Sequence, residues 1–231
     1  MHDSSYRRME WFVENYLLDF STKEKDEKIK VIDIGAYDVN GTYKPLFDDS
    51  RFEYTGFDMA KGPNVDITPD FPYDWKEIVN DTYDVVISGQ CLEHIEFPWV
   101  TMEEMTRILK PGGLMCIIAP RGVPRHRYPV DTYRYDADGM AALAKYAKLE
   151  PLHISTGEAP PTAGIDWFIG NTLDSMLVAR KPKEWDGVLD IRKYRYIKWP
   201  IEKLRGNFLT FDTPHPCRLR ENTPPPPEKI K

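Results

Sequence analysis

Hydrophobic positions change their period along the chain. Met9, Phe12, Val13, Tyr16, Leu17 and Phe20 recur at three- and four-residue intervals, which predicts an N-terminal helix with one apolar stripe. Ser21–Lys28 is wholly polar and reads as a loop. From Ile29 onward short apolar runs alternate with helical stretches. Ile29–Ile34, Phe52–Phe57, Tyr83–Ser88 and Leu114–Ala119 read as strands, with a short strand around Val65-Asp66-Ile67 and late ones at Leu149–Ser155 and Asn171–Arg180. The near-continuous apolar character of Tyr83–Ser88 and Leu114–Ala119 suits parallel strands covered on both faces. Val100, Met105, Ile108 and Leu109 predict a helix over Pro98–Lys110, stopped by Pro111-Gly112-Gly113. Ala137–Lys148 predicts another, with Asp136 or Asp138 as its cap. Alternating strands and helices predict a doubly wound α/β sheet.

Composition sharpens this picture. The 231 residues are 41% hydrophobic and 13% aromatic, enough for a sizeable core and too much for a disordered chain. Net charge is −6, but residues 183–231 hold 11 basic and 7 acidic side chains, so the first 182 carry −10. The Pro-rich end (Pro214, Pro216, Pro224–Pro227) marks the same region. Three segments follow: an N-terminal helix and loop (1–28), a core domain (29–182) and a basic, aromatic, Pro-rich C-terminal extension (183–231). The acidic core disfavours a nucleic-acid partner. The extension reads as a cover for its own domain or for a second subunit in a homodimer. Cys91, Cys116 and Cys217 show no paired spacing, which disfavours a disulfide framework and a structural zinc site. No apolar segment follows the N-terminus, and the longest apolar run is far shorter than the roughly 20 residues a membrane span needs. The expected location is the cytoplasm.

The sharpest local feature is Val31–Gly41, a strand running into a loop with Gly35 and Gly41. In an open α/β sheet that turn lies where ligands bind. Gly35 would let a ligand approach the backbone, and Gly41 could take positive φ. Asp58 closes the second strand, 25 residues after Asp33, where an acid can accept ribose hydroxyls; its plainer reading is a helix cap. Asp66 can reach an adenine amino group while Ile67 packs on the ring; its plainer reading is an exposed turn residue. The G-x-G-x-x-G fingerprint is absent, which disfavours an NAD-dependent oxidoreductase.

Residues 28–180 resemble the class I S-adenosylmethionine-dependent methyltransferases. The resemblance rests on Val31–Gly41, Asp58, Asp66-Ile67, the run Tyr83–His94 and Glu104–Gly113 with its Lys-Pro-Gly-Gly ending, in that order. Its Asp-Val-Asn-Gly loop replaces the usual G-x-G pair and looks like the subset acting on small molecules and surface glycans. The resemblance implies a Rossmann-like sheet, mostly parallel with an antiparallel last strand. It implies S-adenosyl-L-methionine as cofactor, held by Asp33, Gly35, Ala36, Tyr37, Gly41, Asp58, Met59, Asp66, Ile67, Ser88, Gly89 and Gln90. The implied activity is O- or N-methylation of a small molecule or a sugar or glycan precursor, a phosphate-bearing one included. The alternative is a non-catalytic ligand-binding or scaffold protein on the same fold.

The loop Pro120–Tyr135 concentrates four arginines, three tyrosines, His126 and Asp131 after a strand at the ligand edge. His126 is the expected general base, and Arg125, Arg127, Asp131, Tyr133 and Arg134 the expected acceptor contacts. The competing reading is a structural loop, with His126 and Asp131 pinning backbone. His94 is the rival base; otherwise it is a satisfied histidine shaping the cofactor pocket. Glu93 reads as structural and Cys91 as a small buried hydrophobe. No metal constellation is evident. The N-terminal helix is expected at the sheet's carboxyl edge, where its removal would cost activity more than melting temperature.

Overall fold

The strands Ile29–Ile34 (β1), Phe52–Phe57 (β2), Tyr83–Gly89 (β3), Leu109–Pro120 (β4), Glu150–Thr156 (β5) and Asp174–Arg180 (β6) form one sheet in the order β2-β1-β3-β4-β6-β5. The computed structural model describes residues 3–20, 27–157 and 174–191. β1 to β4 pair in parallel, and β6 runs antiparallel to both neighbours, β4 and β5. This is the expected Rossmann-like sheet, with the last strand in sequence reversed. The expected extension lies outside the described residues except for 183–191. Among the described residues no helix is long and apolar enough to cross a membrane.

Alternation along the central strands divides the core in two. Ile32, Val86, Met115, Ile117 and Leu177 face one side, covered by helices Pro98–Ile108 (α2) and Ala137–Tyr146 (α3) and by Trp75. Val31, Val85, Ile87, Cys116, Ile118 and Val178 face the other, covered by the N-terminal helix Asp3–Phe12 (α1), its wider π-turn continuation Val13–Leu17, and Phe47. Met9, Phe12 and Leu17 of the anticipated stripe are fully buried, and so is Arg8, whose guanidinium burial pushes down to about 10. α1 therefore packs across β4 and β6 on this face as well as reaching the carboxyl edge. Its removal would expose core and so cost stability as well as any activity.

Several boundaries differ from the sequence reading. α2 ends at Ile108, before the Pro-Gly-Gly, and Leu109 is already extended and paired with Tyr83. Pro111 disfavours helix at Lys110, so the chain turns into strand early. The Pro-Gly-Gly lies inside β4, where a Cβ on Gly113 would sit 2.8 Å from the Asp84 carbonyl oxygen. The strand around Val65–Ile67 is a single bridge between Phe57 and Ile67, because the Gly56 carbonyl takes both the Asp66 and Ile67 amides and nothing extends the ladder. Asp136, not Asp138, caps α3 by accepting from the Ala137 amide. After Gly41 the chain makes one 3-10 turn, Lys44–Phe47.

Candidate active site

At the carboxyl edge β1 is followed by Gly35, at φ +86°. A Cβ there would lie 2.5 Å from Cys91 Sγ, so glycine is demanded by the neighbouring chain rather than by space left for a ligand. Gly41 takes φ +131°, as its place in the loop suggested. Tyr43 then lies across the end of β3, where a Cβ on Gly89 would meet its hydroxyl at 1.9 Å. The Tyr43 hydroxyl shares a buried 2.5 Å hydrogen bond with Ser5 of α1. Gln90 follows in the left-handed region, at φ +56°. Such a conformation in a non-glycine residue stores strain of a kind that clusters at functional sites. Its Nε2 donates to Asp174 Oδ1 at 3.1 Å, while its Oε1 is buried with no partner among the described residues.

These residues enclose a groove of about 100 Å³. Of the expected cofactor residues, Asp33, Gly35, Ala36, Tyr37, Gly41, Gly89 and Gln90 line it. Asp33 is buried and accepts from the Tyr54 hydroxyl at 2.7 Å; burial pushes its carboxyl up to about 7, against the pull of that hydrogen bond. Asp58 stands half-buried beside the loop, accepting from the Tyr37 and Ala60 amides. No helix follows it, so it holds a turn rather than a cap. Met59 is exposed, Asp66 accepts from the Gly56 amide, and Ile67 packs on the core. Ser88 is buried and spends its hydroxyl on the Ile34 carbonyl, which withdraws its side chain from the groove. A larger cavity, about 240 Å³, lies beside the buried Lys181 at the opposite edge, away from this chemistry.

The Pro120–Tyr135 loop is seated on the segment after β3. Thr132 gives both its amide and its hydroxyl to the Glu93 carbonyl, each at 2.8 Å. Tyr133 donates to the Glu96 carbonyl and Tyr135 to that of Leu92. Arg134 forms a fork with both oxygens of Asp131, and Asp131 also accepts from the His126 amide. Asp131 thus fastens the loop's own backbone and holds Arg134, whereas Arg125 and Arg127 are exposed.

This seating brings the two candidate histidines together, their ring centroids 4.9 Å apart. His94 Nδ1 lies 2.6 Å from the Val130 carbonyl, and His126 Nδ1 lies 3.0 Å from that of Pro124. Carbonyls only accept, so each Nδ1 carries the proton and each neutral ring keeps its lone pair on Nε2. Burial lowers the His94 pKa, the Val130 carbonyl opposing. Glu93 sits beside them, fully buried, both carboxylate oxygens without a hydrogen-bond partner among the described residues, Oε1 3.7 Å from His94 Nε2. Burial pushes its carboxyl up to about 8. Sequence reasoning set Glu93 aside and missed Tyr43 and Asp174. The available signal for Asp174 was a lone acid opening an otherwise apolar strand; Tyr43 offered none.

The fold, with its groove at the carboxyl edge of the sheet, is of the doubly wound α/β class, in which ligands bind at strand ends. The methyltransferase domain family matches residues 6–175, and the chain belongs to that family, as a class I S-adenosylmethionine-dependent methyltransferase. No curated protein matches it. Among solved structures it is similar to the [4+2]-cyclase SpnF, with 16% identity, 77% of this chain and 81% of that chain covered, and a TM-score of 0.56. It is similar also to the 1,6-didemethyltoxoflavin-N1-methyltransferase of Burkholderia thailandensis, solved with its substrate and S-adenosylhomocysteine (17%, 77% and 78%, 0.54). A third is the Haloferax volcanii putative methyltransferase solved with its Trm112 activator (17%, 78% and 90%, 0.50).

Proposed function

We propose that this methyltransferase methylates an oxygen or nitrogen of a small molecule or sugar-type precursor, held between the cofactor groove and the Pro120–Tyr135 loop. One observation carries the reading: that loop is bonded to Leu92, Glu93 and Glu96, directly after the groove residues Gly89 and Gln90. Acceptor and methyl donor would thereby meet along one short stretch of chain.

The residues present fit S-adenosyl-L-methionine. The unpartnered Gln90 Oε1 and the Asp33 carboxyl offer acceptors to its amino group. Asp58 keeps acceptor capacity for the ribose, and Ile67 offers an apolar surface for adenine. When bound, the cofactor supplies a methyl carbon on a positively charged sulfur, a centre that needs no further activation. The chain contributes positioning and exclusion of water. A hydroxyl acceptor must also lose its proton, which depends on His126 and His94, the two rings with Nε2 lone pairs at this place. Since Arg134 is committed to Asp131, an anionic acceptor would be clamped by Arg125 and Arg127.

Calorimetry with S-adenosylmethionine and S-adenosylhomocysteine tests the first half, with micromolar binding of both expected. Incubation with metabolite extracts and mass spectrometry tests the second: a product heavier by one CH₂ is expected. Absence of sulfur-cofactor binding overturns the reading.

A further inference from the structure

We propose that Glu93, His94 and His126 form a binding site for a divalent transition-metal ion, zinc being the ion they suit best. One ligand atom from each lies within 4.8 Å of the other two. Around a zinc ion with bonds of about 2.0–2.2 Å, such atoms stand roughly 3.5 Å apart, so closure by about an ångström completes the set.

Three observations converge on a cation. The Glu93 side chain is fully buried and neither of its oxygens has a hydrogen-bond partner among the described residues, although almost every buried carboxylate is satisfied. Both histidines donate Nδ1–H to backbone carbonyls, of Val130 and Pro124. That is the outer-shell arrangement of metal-binding imidazoles, which fixes the tautomer and presents Nε2. Two imidazoles and one carboxylate are, finally, a ligand set that selects zinc or iron(II) over magnesium and calcium. His94 and His126 stand 32 positions apart, so no spacing motif announces the site in sequence.

Three protein ligands leave a coordination position for another oxygen. Resting on the proposed function, that oxygen belongs to a hydroxyl acceptor, whose proton the Lewis acid would make acidic enough to pass to water; with the ion bound, the Nε2 lone pairs are ligands and this route takes the place of the histidines' base role. Binding of the ion itself does not depend on that role.

The test is titration of full-length protein, stripped with a chelator and free of S-adenosylmethionine, with zinc chloride. Calorimetry should show one equivalent bound with micromolar or tighter Kd, and cobalt(II) should give visible absorption that zinc abolishes. Magnesium should not compete. Glu93→Gln, His94→Ala and His126→Ala should each weaken zinc binding by at least about tenfold. His126→Ala, which alters a partly exposed loop residue, serves as the variant least able to unfold the chain, and its melting temperature verifies this. No saturable uptake by the unaltered protein overturns the proposal; so does uptake unchanged in all three variants. Calorimetry with S-adenosylmethionine on the same samples separates this result from the fate of the proposed function.

Discussion

The Ser5 and Tyr43 hydroxyls meet in a buried hydrogen bond of 2.5 Å, which ties the first helix to the loop that roofs the candidate cofactor groove. Removing the Tyr43 hydroxyl leaves Ser5 Oγ buried with, among the described residues, the 3.4 Å contact from Gln90 Nε2. Tyr43→Phe should therefore cost about 1–3 kcal/mol of stability and weaken S-adenosylmethionine binding as well. Urea unfolding and calorimetry measure both; lost stability with an unchanged Kd would separate the helix from the groove.

Phe12 is fully buried between α1 and the sheet and stacks on Tyr16, ring centroids 5.8 Å apart. Phe12→Ala should destabilise the fold by about 3–5 kcal/mol, read from denaturant midpoints. A loss of activity without loss of stability would restore the view of this helix as a cover only.

Asp33 gives a pH signature. Its folded pKa of about 7 lies above the unfolded value of 3.8, so the folded state holds its proton more tightly. The resulting stabilisation is complete below the unfolded value and disappears as pH rises through the folded one. Stability attributable to this group should fall between about pH 4 and 7, by at most about 4 kcal/mol. Asp33→Asn, which still accepts from Tyr54, should lack this fall. Parallel urea titrations of both proteins at several pH values show the difference, and identical pH profiles would refute it.

Asp58 should hold the ribose. Asp58→Ala is expected to weaken cofactor binding by about 1.5–3 kcal/mol, through loss of charge-assisted hydrogen bonds. An unchanged Kd in a folded variant would transfer the role to another acid.

His126→Ala should lower kcat at least about tenfold for a hydroxyl acceptor, with cofactor affinity nearly intact. His94→Ala should weaken both, because His94 also holds the Val130 carbonyl and thus the acceptor loop. Initial rates and cofactor titrations distinguish the two. A full kcat in His126→Ala between pH 6 and 9 would remove this histidine from the chemistry.

The architecture was largely legible because Val31–Ile32, Val85–Val86 and Cys116–Ile117 are buried on both faces, and apolar continuity is what such strands require. Local competition was less legible. Pro111 and β-pairing at Leu109 ended α2 early, and no period reveals that balance. The groove residues at Gly35–Tyr37 and Gly89–Gln90 followed from motif order. The meeting of Glu93, His94 and His126 did not, because it depends on how Thr132 anchors a distant loop. A residue such as Tyr43 gains its importance from a neighbour 38 positions earlier, and nothing in its own surroundings signals that.

The reversed strand β6 has a consequence for how the chain must be made. It lies between β4 and β5, so the two cannot be joined until the last described strand has been synthesised. While a ribosome adds the stretch from Pro120 to Asp174, β4 carries an unpaired edge along Leu114–Ala119, whose side chains are apolar toward both layers. The first helix waits as well, since Ser4 finds its partner in Asp174. Nascent chains halted in that interval should be the species most prone to edge-to-edge association and the ones most dependent on chaperones.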